Sequence, residues 1–232
     1  MTNQNSILGG FIIVKVNPDS SGLKHYVSVS ADICPQFPGV AGFWWNDYTN
    51  RKQEDYLINT GIPIARYTEI KEWAQCAFEI KFGWVSIFYA LSDAKEAKRR
   101  FFRNDPSIRI IAIGFSAQDS IDLLDGWTPD SNKPIIGERA LLKMLFLGNN
   151  IPEKWPTLGY EVVECSSGML GESWMIQDGL IEKCAIATGQ VIPETGLCET
   201  FESAELCRKY IEKSGIADEE GPWFSIQLVD CT

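Results

Sequence analysis

Histidine is almost absent from this chain of 232 residues: His25 is the only one. That count excludes two-histidine metal sites, histidine phosphoryl relays and zinc-protease motifs. A Ser-His-Asp or Cys-His triad would have to be built on His25. His25 sits in Leu23-Lys-His-Tyr-Val-Ser-Val-Ser30, which alternates like a strand, so a place on a strand face is the plainer reading. Paired cysteines are lacking too. The seven cysteines, at 34, 76, 165, 184, 198, 207 and 231, are odd in number and include no Cys-x-x-Cys. This argues against a secreted disulfide framework and against a structural zinc site, and predicts buried reduced thiols with no metal or cofactor. Long apolar runs are missing. Phe11 to Val14, Ile110 to Ile113 and Met144 to Leu147 fall far short of the ~20 residues of a membrane-spanning helix. The opening residues Met-Thr-Asn-Gln-Asn-Ser offer neither the basic nor the apolar segment of a secretory signal. Together these absences predict a soluble, cytoplasmic protein that does not engage a membrane.

Positive charge is scarce in one region only. Residues 1–150 hold 16 Asp/Glu and 16 Lys/Arg, whereas residues 151–232 hold 15 and 5, so the net charge of −10 belongs wholly to the last third. With 45% hydrophobic and 22% charged residues the composition is that of a globular chain, not a disordered one. Net charge bears on solubility, partner choice and association rate rather than on fold. Ile151 to Pro156 carries two prolines at the charge step. It predicts a boundary between a charge-neutral mixed α/β body, 1–150, and an acidic α+β module, 151–232, either separate or packed as one domain.

Along the body, the first 31 residues predict a β-hairpin: Leu8 to Val16 is β-rich, Asn17 to Gly22 is turn chemistry, and Leu23 to Ala31 alternates. Gly42-Phe-Trp-Trp-Asn-Asp-Tyr48 is either an aromatic plug of a core beneath a loop, the plainer reading, or an exposed binding patch. Glu69 to Lys81 has a helical apolar period, and Trp84 to Leu91 reads as a strand. Ser92 should cap a helix from Asp93 to Arg103, which Asn104-Asp-Pro106 ends. Ser107 to Phe115 is the strongest strand in the chain. Ser116 should cap a short helix through Leu124, and Pro134 to Leu147 reads as an apolar helix closed by Gly148. The last third then reads as strand Leu158–Cys165, helices Ser173–Ala187 and Phe201–Lys213, and strand Trp223–Val229. The expected class is α+β: a mixed sheet with an N-terminal hairpin and helices, plus a C-terminal β-α-α-β acidic unit.

Three segments carry possible chemistry. Gly168-Met-Leu-Gly-Glu-Ser173 is expected between a strand and a helix, where backbone amides could hold a phosphate. It lacks the Walker lysine and the G-x-G-x-x-G pattern, and Glu172 would repel an anion, so a tight turn capped by Ser173 is plainer. Gly114-Phe-Ser116-Ala-Gln118 begins like the nucleophile elbow of α/β-hydrolases. Gln118 stands where the second glycine belongs, however, and the only histidine precedes the serine. Lys95, Lys98, Arg99, Arg100 and Arg103 form a basic cluster. A chain of net charge −10 repels nucleic acid over most of its surface, so pairing of this cluster with the acidic third is the economical reading.

Leu158-Gly-Tyr-Glu-Val-Val163, Ser173-Trp174, Thr195-Gly-Leu197 and Phe201-Glu-Ser-Ala204 follow one another in the last third. This series resembles a pattern in uncharacterised bacterial proteins grouped with immunity proteins of toxin systems. The likeness supplies no functional residues. It implies a non-catalytic intracellular binding protein, immunity- or inhibitor-like, that docks a basic protein partner through its acidic third. From the residues themselves, the candidate contacts are Glu161, Glu164, Glu172 and Asp178 for steering, with Trp174 and Trp223 for affinity. Two alternatives stand beside it: a histidine-independent enzyme using Ser116 or carboxylates near the Gly168–Ser173 loop, and a structural subunit of a phage or secretion assembly. Oligomeric state is left open.

Overall fold

The computed structural model describes residues 6–17, 26–28, 64–77, 80–81, 87–103, 105–128, 140–166, 169–174, 177, 179–217 and 221–232. Two apolar, β-branched stretches, β1 (Ile7–Val16) and β3 (Ile108–Phe115), pair antiparallel with Ile12 opposite Ile111 and Ile13 opposite Ile110. The short β2 (Tyr26–Ser28) pairs with β1 and completes the hairpin expected from the sequence. In the last third lie β4 (Thr157–Ser166), β5 (Met169–Ser173) and β6 (Trp223–Asp230). All six strands form one sheet in the order β2-β1-β3-β6-β4-β5, and every pairing is antiparallel. The fold is α+β, and its sheet is antiparallel rather than mixed.

Helices follow the strands in chain order: α1 (Ile64–Ala77), α2 (Leu91–Ala97) running into a π-helical turn at Lys98–Phe102, α3 (Ala117–Leu124), α4 (Ala140–Leu147), α5 (Leu180–Thr188) and α6 (Phe201–Ser214). Alternate residues of β3 enter two cores, as the period of a strand requires. Ile111, Ile113 and Phe115 pack with Leu141 and Leu145 of α4, Cys184 of α5 and Ala204 and Ile211 of α6. Ile108, Ile110 and Ala112 pack with Ile70 and Ala77 of α1, Ala94 and Ala97 of α2, and Phe101 and Phe102. None of the helices among the described residues is long and apolar enough to cross a membrane.

Residue 150 is a step in charge but not a break in the sheet. The strands β3 and β6 pair across it, with Ile113 opposite Leu228 and Ala112 opposite Val229. The proline-bounded segment is itself stitched to β1: Leu8 N donates to Asn149 O at 2.7 Å, Ile151 N donates to Ser6 O at 2.9 Å, and Trp155 meets Phe11 edge to face at 6.2 Å. The C-terminus closes the seam, with Cys231 N donating to Ile110 O at 3.0 Å and Ile110 N donating to Thr232 Oγ1 at 2.8 Å. A bulge between Leu8 and Gly10 bends β1; Gly10 has φ of 137°, and a Cβ there would collide with Ile87.

Several local expectations are corrected. Ser92 does not cap α2: the N-cap is Ala90, with no side-chain hydrogen bond. The helical run starts at Leu91 rather than Asp93 and its last turn, Lys98–Phe102, is π-helical, after which Arg103 takes a φ of 49°. Met169–Ser173 is a strand, and α5 starts only at Leu180 behind a left-handed Gly179, so the C-terminal unit runs β-β-α-α-β. The aromatic run Gly42 to Tyr48, His25, residues 84–86 of the strand read at Trp84 to Leu91, and the stretch from Pro134 to Arg139 lie outside the described residues. Of the remainder of that strand only Phe88 makes a β-bridge, to Phe11, while Leu91 begins α2.

Candidate functional site

Four of the six residues chosen as contacts are interior. Glu161 and Glu164 are carried by β4, which lies between β6 and β5, and both are buried. Each is engaged within the fold, and Glu164 fills the space that Gly221 leaves by having no side chain. Trp223 opens β6, and its carbonyl accepts from Arg208 at 3.5 Å. Trp174 is fully buried in the same core as Val162 and Leu180, with an indole N–H that meets no acceptor among the described residues. The backbone of Glu172 lies in β5, its side chain is not among the described ones, and Asp178 lies outside the described residues. A docking face made of Glu161, Glu164, Trp174 and Trp223 is therefore corrected: alternation along a strand places half its residues against whatever covers that face, and here both faces of β4 are covered.

Ser116 is a helix cap. Its Oγ accepts from Asp119 N at 3.0 Å and donates to Asp119 Oδ2 at 2.7 Å, a reciprocal arrangement at the start of α3. Beside it, the first turns of α6 bring a second carboxylate. Arg208 clamps Glu205 through Nε at 2.7 Å and Nη2 at 2.8 Å, and also reaches Glu212 at 2.9 Å. Burial pushes the Asp119 carboxyl up, a shift that Ser116 and Arg208 oppose and Glu205 reinforces. Burial acts on Glu205 in the same sense, but Arg208 and Ser225 outweigh it and hold that carboxylate low. Two carboxyls with divergent proton affinities are the equipment of acid–base chemistry. Neither carboxylate lines the cleft beside Ser116, which is formed by Ser6, Gly114, Ser116, Tyr160, Phe201, Ser225 and Gln227 and has a volume of about 10 Å³. That is the space of about one water. Of the Gly168–Ser173 loop on which the other catalytic reading relies, Met169–Ser173 is strand β5, hydrogen-bonded to β4, and Gly168 lies outside the described residues.

Within the basic cluster, Lys98 feels the Asp230 carboxylate of the last third. Arg99, Arg100 and Arg103 are exposed, and among the described residues none makes an ion pair with the last third. Arg100 stacks over Phe101 at 5.1 Å. Among the described residues an ion pair crosses the charge step, from Arg109 to Asp230 at 3.7 Å.

What the sequence reading missed is the outer surface of α5 and of the segment after it. Leu180 and Cys184 point inward, so Glu182, Lys183 and Ile186 take the exposed side. Ile186 is 84% exposed, and Val191, just beyond the left-handed Gly189 that ends the helix, is 89% exposed. Glu182, Glu194, Glu199 and Glu202 are exposed around them in sequence. A signal was present: Ile186 falls off the apolar stripe that runs through 180 and 184. No family model matches this chain, and comparison with curated proteins and with solved structures finds no match.

Proposed function

We propose that this chain is a non-catalytic binding protein of the immunity or inhibitor type, docking a basic protein partner through α5 and the segment from Gly189 to Glu202. One observation carries the reading: two apolar side chains stand almost fully exposed in the region that holds all of the chain's excess negative charge. Apolar anchors within an acidic rim are how a surface combines affinity with steering toward a cationic partner. Reduced thiols at all six described cysteine positions are compatible with this reading.

The test is retention of a partner from native lysate by the immobilised full chain, at low and at raised salt. A basic protein held at low salt, released by salt, and lost from the double variant Ile186→Asp with Val191→Asp is the expected result. Recovery of no salt-sensitive basic protein, or equal retention by the double variant, would contradict the proposal.

A further inference from the structure

The basic and the acidic surfaces stand on opposite sides of the sheet. Ala94 and Ala97 of α2, with Phe101 and Phe102 of the π-helical turn, pack into the core on one face of β3, beside Ile108 and Ile110. Leu180 and Cys184 of α5 pack into the core on the other face, with Ile111 and Ile113. The sheet and both cores therefore separate Arg99, Arg100 and Arg103 from the outer side of α5, and the two surfaces cannot meet within one chain. Burial of Phe101 and Phe102 leaves the three arginines to solvent, and among the described residues none of them makes an ion pair. Arg103 holds its φ of 49°, a left-handed conformation that a residue other than glycine adopts at a cost. An exposed apolar side chain borders this surface: Ile80, 75% exposed, precedes Lys81, whose ammonium donates to Asp93 at 3.1 Å and Glu96 at 2.6 Å on α2.

We propose that the surface around Arg99, Arg100 and Arg103 docks the acidic α5 surface of a second copy of this chain. Charge complementarity chooses this occupant. Exposed Glu182, Glu194 and Glu199 offer carboxylates to guanidinium groups that have no partner in their own chain. The apolar side chains agree, because Ile186 and Val191 would be covered by the arginine stems and Ile80. Net charge sets the orientation. Residues 1–150 are neutral and residues 151–232 carry the −10, so body against last third is the arrangement that keeps the two acidic thirds apart. A nucleic acid at the same arginines would meet the repulsion of that acidic third instead. The two surfaces differ, so the contact is head to tail, and each copy added presents a fresh surface of both kinds. The inference rests on the reading of α5 and the segment after it as a docking surface, and it adds a competitor there: a second copy seated on α5 excludes the basic partner.

Analytical ultracentrifugation of the purified full chain tests it, at about 0.15 M salt, where a screening length of about 8 Å confines charge effects to the facing surfaces. The expected result is an average mass that rises with concentration past that of a pair and returns to the monomer at raised salt. Neutralising either surface, by Arg99→Gln with Arg103→Gln or by Glu182→Gln with Glu194→Gln, should weaken association about tenfold. An equimolar mixture of the two variants should associate again and stop at a pair, because each supplies the one surface that the other lacks. A chain that stays monomeric at every concentration, association undiminished in either variant, or a mixture no more associated than its components would overturn the proposal. So would binding of a short nucleic-acid duplex through the same arginines without self-association. Only purified chain is present, so a monomeric result leaves the lysate test of the docking reading standing, and failure of that test does not decide this one.

Discussion

The body supplies β1 to β3 and the last third supplies β4 to β6, and inside the sheet the two halves are alike. Ile111 and Ile113 on one side of the charge step share a core with Ile226 and Leu228 on the other. Outside they differ. The body exposes Arg99, Arg100 and Arg103 around a π-helical turn, whereas the last third exposes Glu182, Glu194, Glu199 and Glu202 around Ile186 and Val191. The contrast teaches that a step in charge can mark a change of surface without marking a change of core. Strand pairing and apolar burial are indifferent to the sign of residues that face solvent.

The likeness of the two interiors is broken most directly at the seam. Leu228→Ala empties a buried site opposite Ile113 and is expected to cost about 2–5 kcal/mol. Denaturant unfolding followed by tryptophan fluorescence and by circular dichroism should still give one coincident transition, because both cores share the sheet. Two separate transitions would favour separate domains over one packed domain. A smaller loss, about 1–3 kcal/mol, is expected from Gly159→Ala, which forces a side chain into an extended positive-φ conformation against Leu197. Its effect should be read in the same unfolding experiment.

The carboxyl pair at the junction of α3 and α6 sharpens the comparison through pH. Glu205 is held low by Arg208 against its own burial, so its contribution is present above the ordinary glutamate range and is lost as pH falls through its lowered value. Glu205→Gln should therefore cost about 1–3 kcal/mol near neutrality, and progressively less in acid. Asp119 runs the other way. Its carboxyl is pushed up, so it lowers stability as pH rises from the ordinary aspartate range through the raised value. Asp119→Asn should flatten that slope, and midpoints measured across the acid range would reveal a failure of either sign.

Much of the fold was legible because its signals are local. The β-branched runs of β1 and β3, the Ser116 cap with Asp119 three residues on, and Thr200 before α6 all announce themselves within a few residues. The strand β5 did not, because Gly168 just before it and Gly171 within it imitate a turn and the pairing of Met169–Ser173 with β4 is decided by tertiary structure. The burial of Glu161 and Glu164 was illegible for the same reason: it follows from the place of β4 in the strand order, which no window of sequence contains. Cys184, Cys198 and Cys207 share one core because of how α5, the segment after it and α6 pack, which their irregular spacing in sequence concealed. By contrast, the Glu205-Arg208-Glu212 series had the helical spacing of a surface ion network and could have been read.

The smallest expected effect on stability belongs to the substitutions with the largest expected effect on function. Reversing exposed charges should change stability by less than about 0.5 kcal/mol on either surface. The most direct test of the account compares partner retention by two such variants of the full chain at low salt: Glu182→Lys with Glu194→Lys on the acidic surface, and Arg99→Glu with Arg103→Glu on the basic one. The account predicts that the first abolishes retention of the basic partner and the second leaves it intact. Retention that survives the first reversal, or is lost in the second, would contradict it.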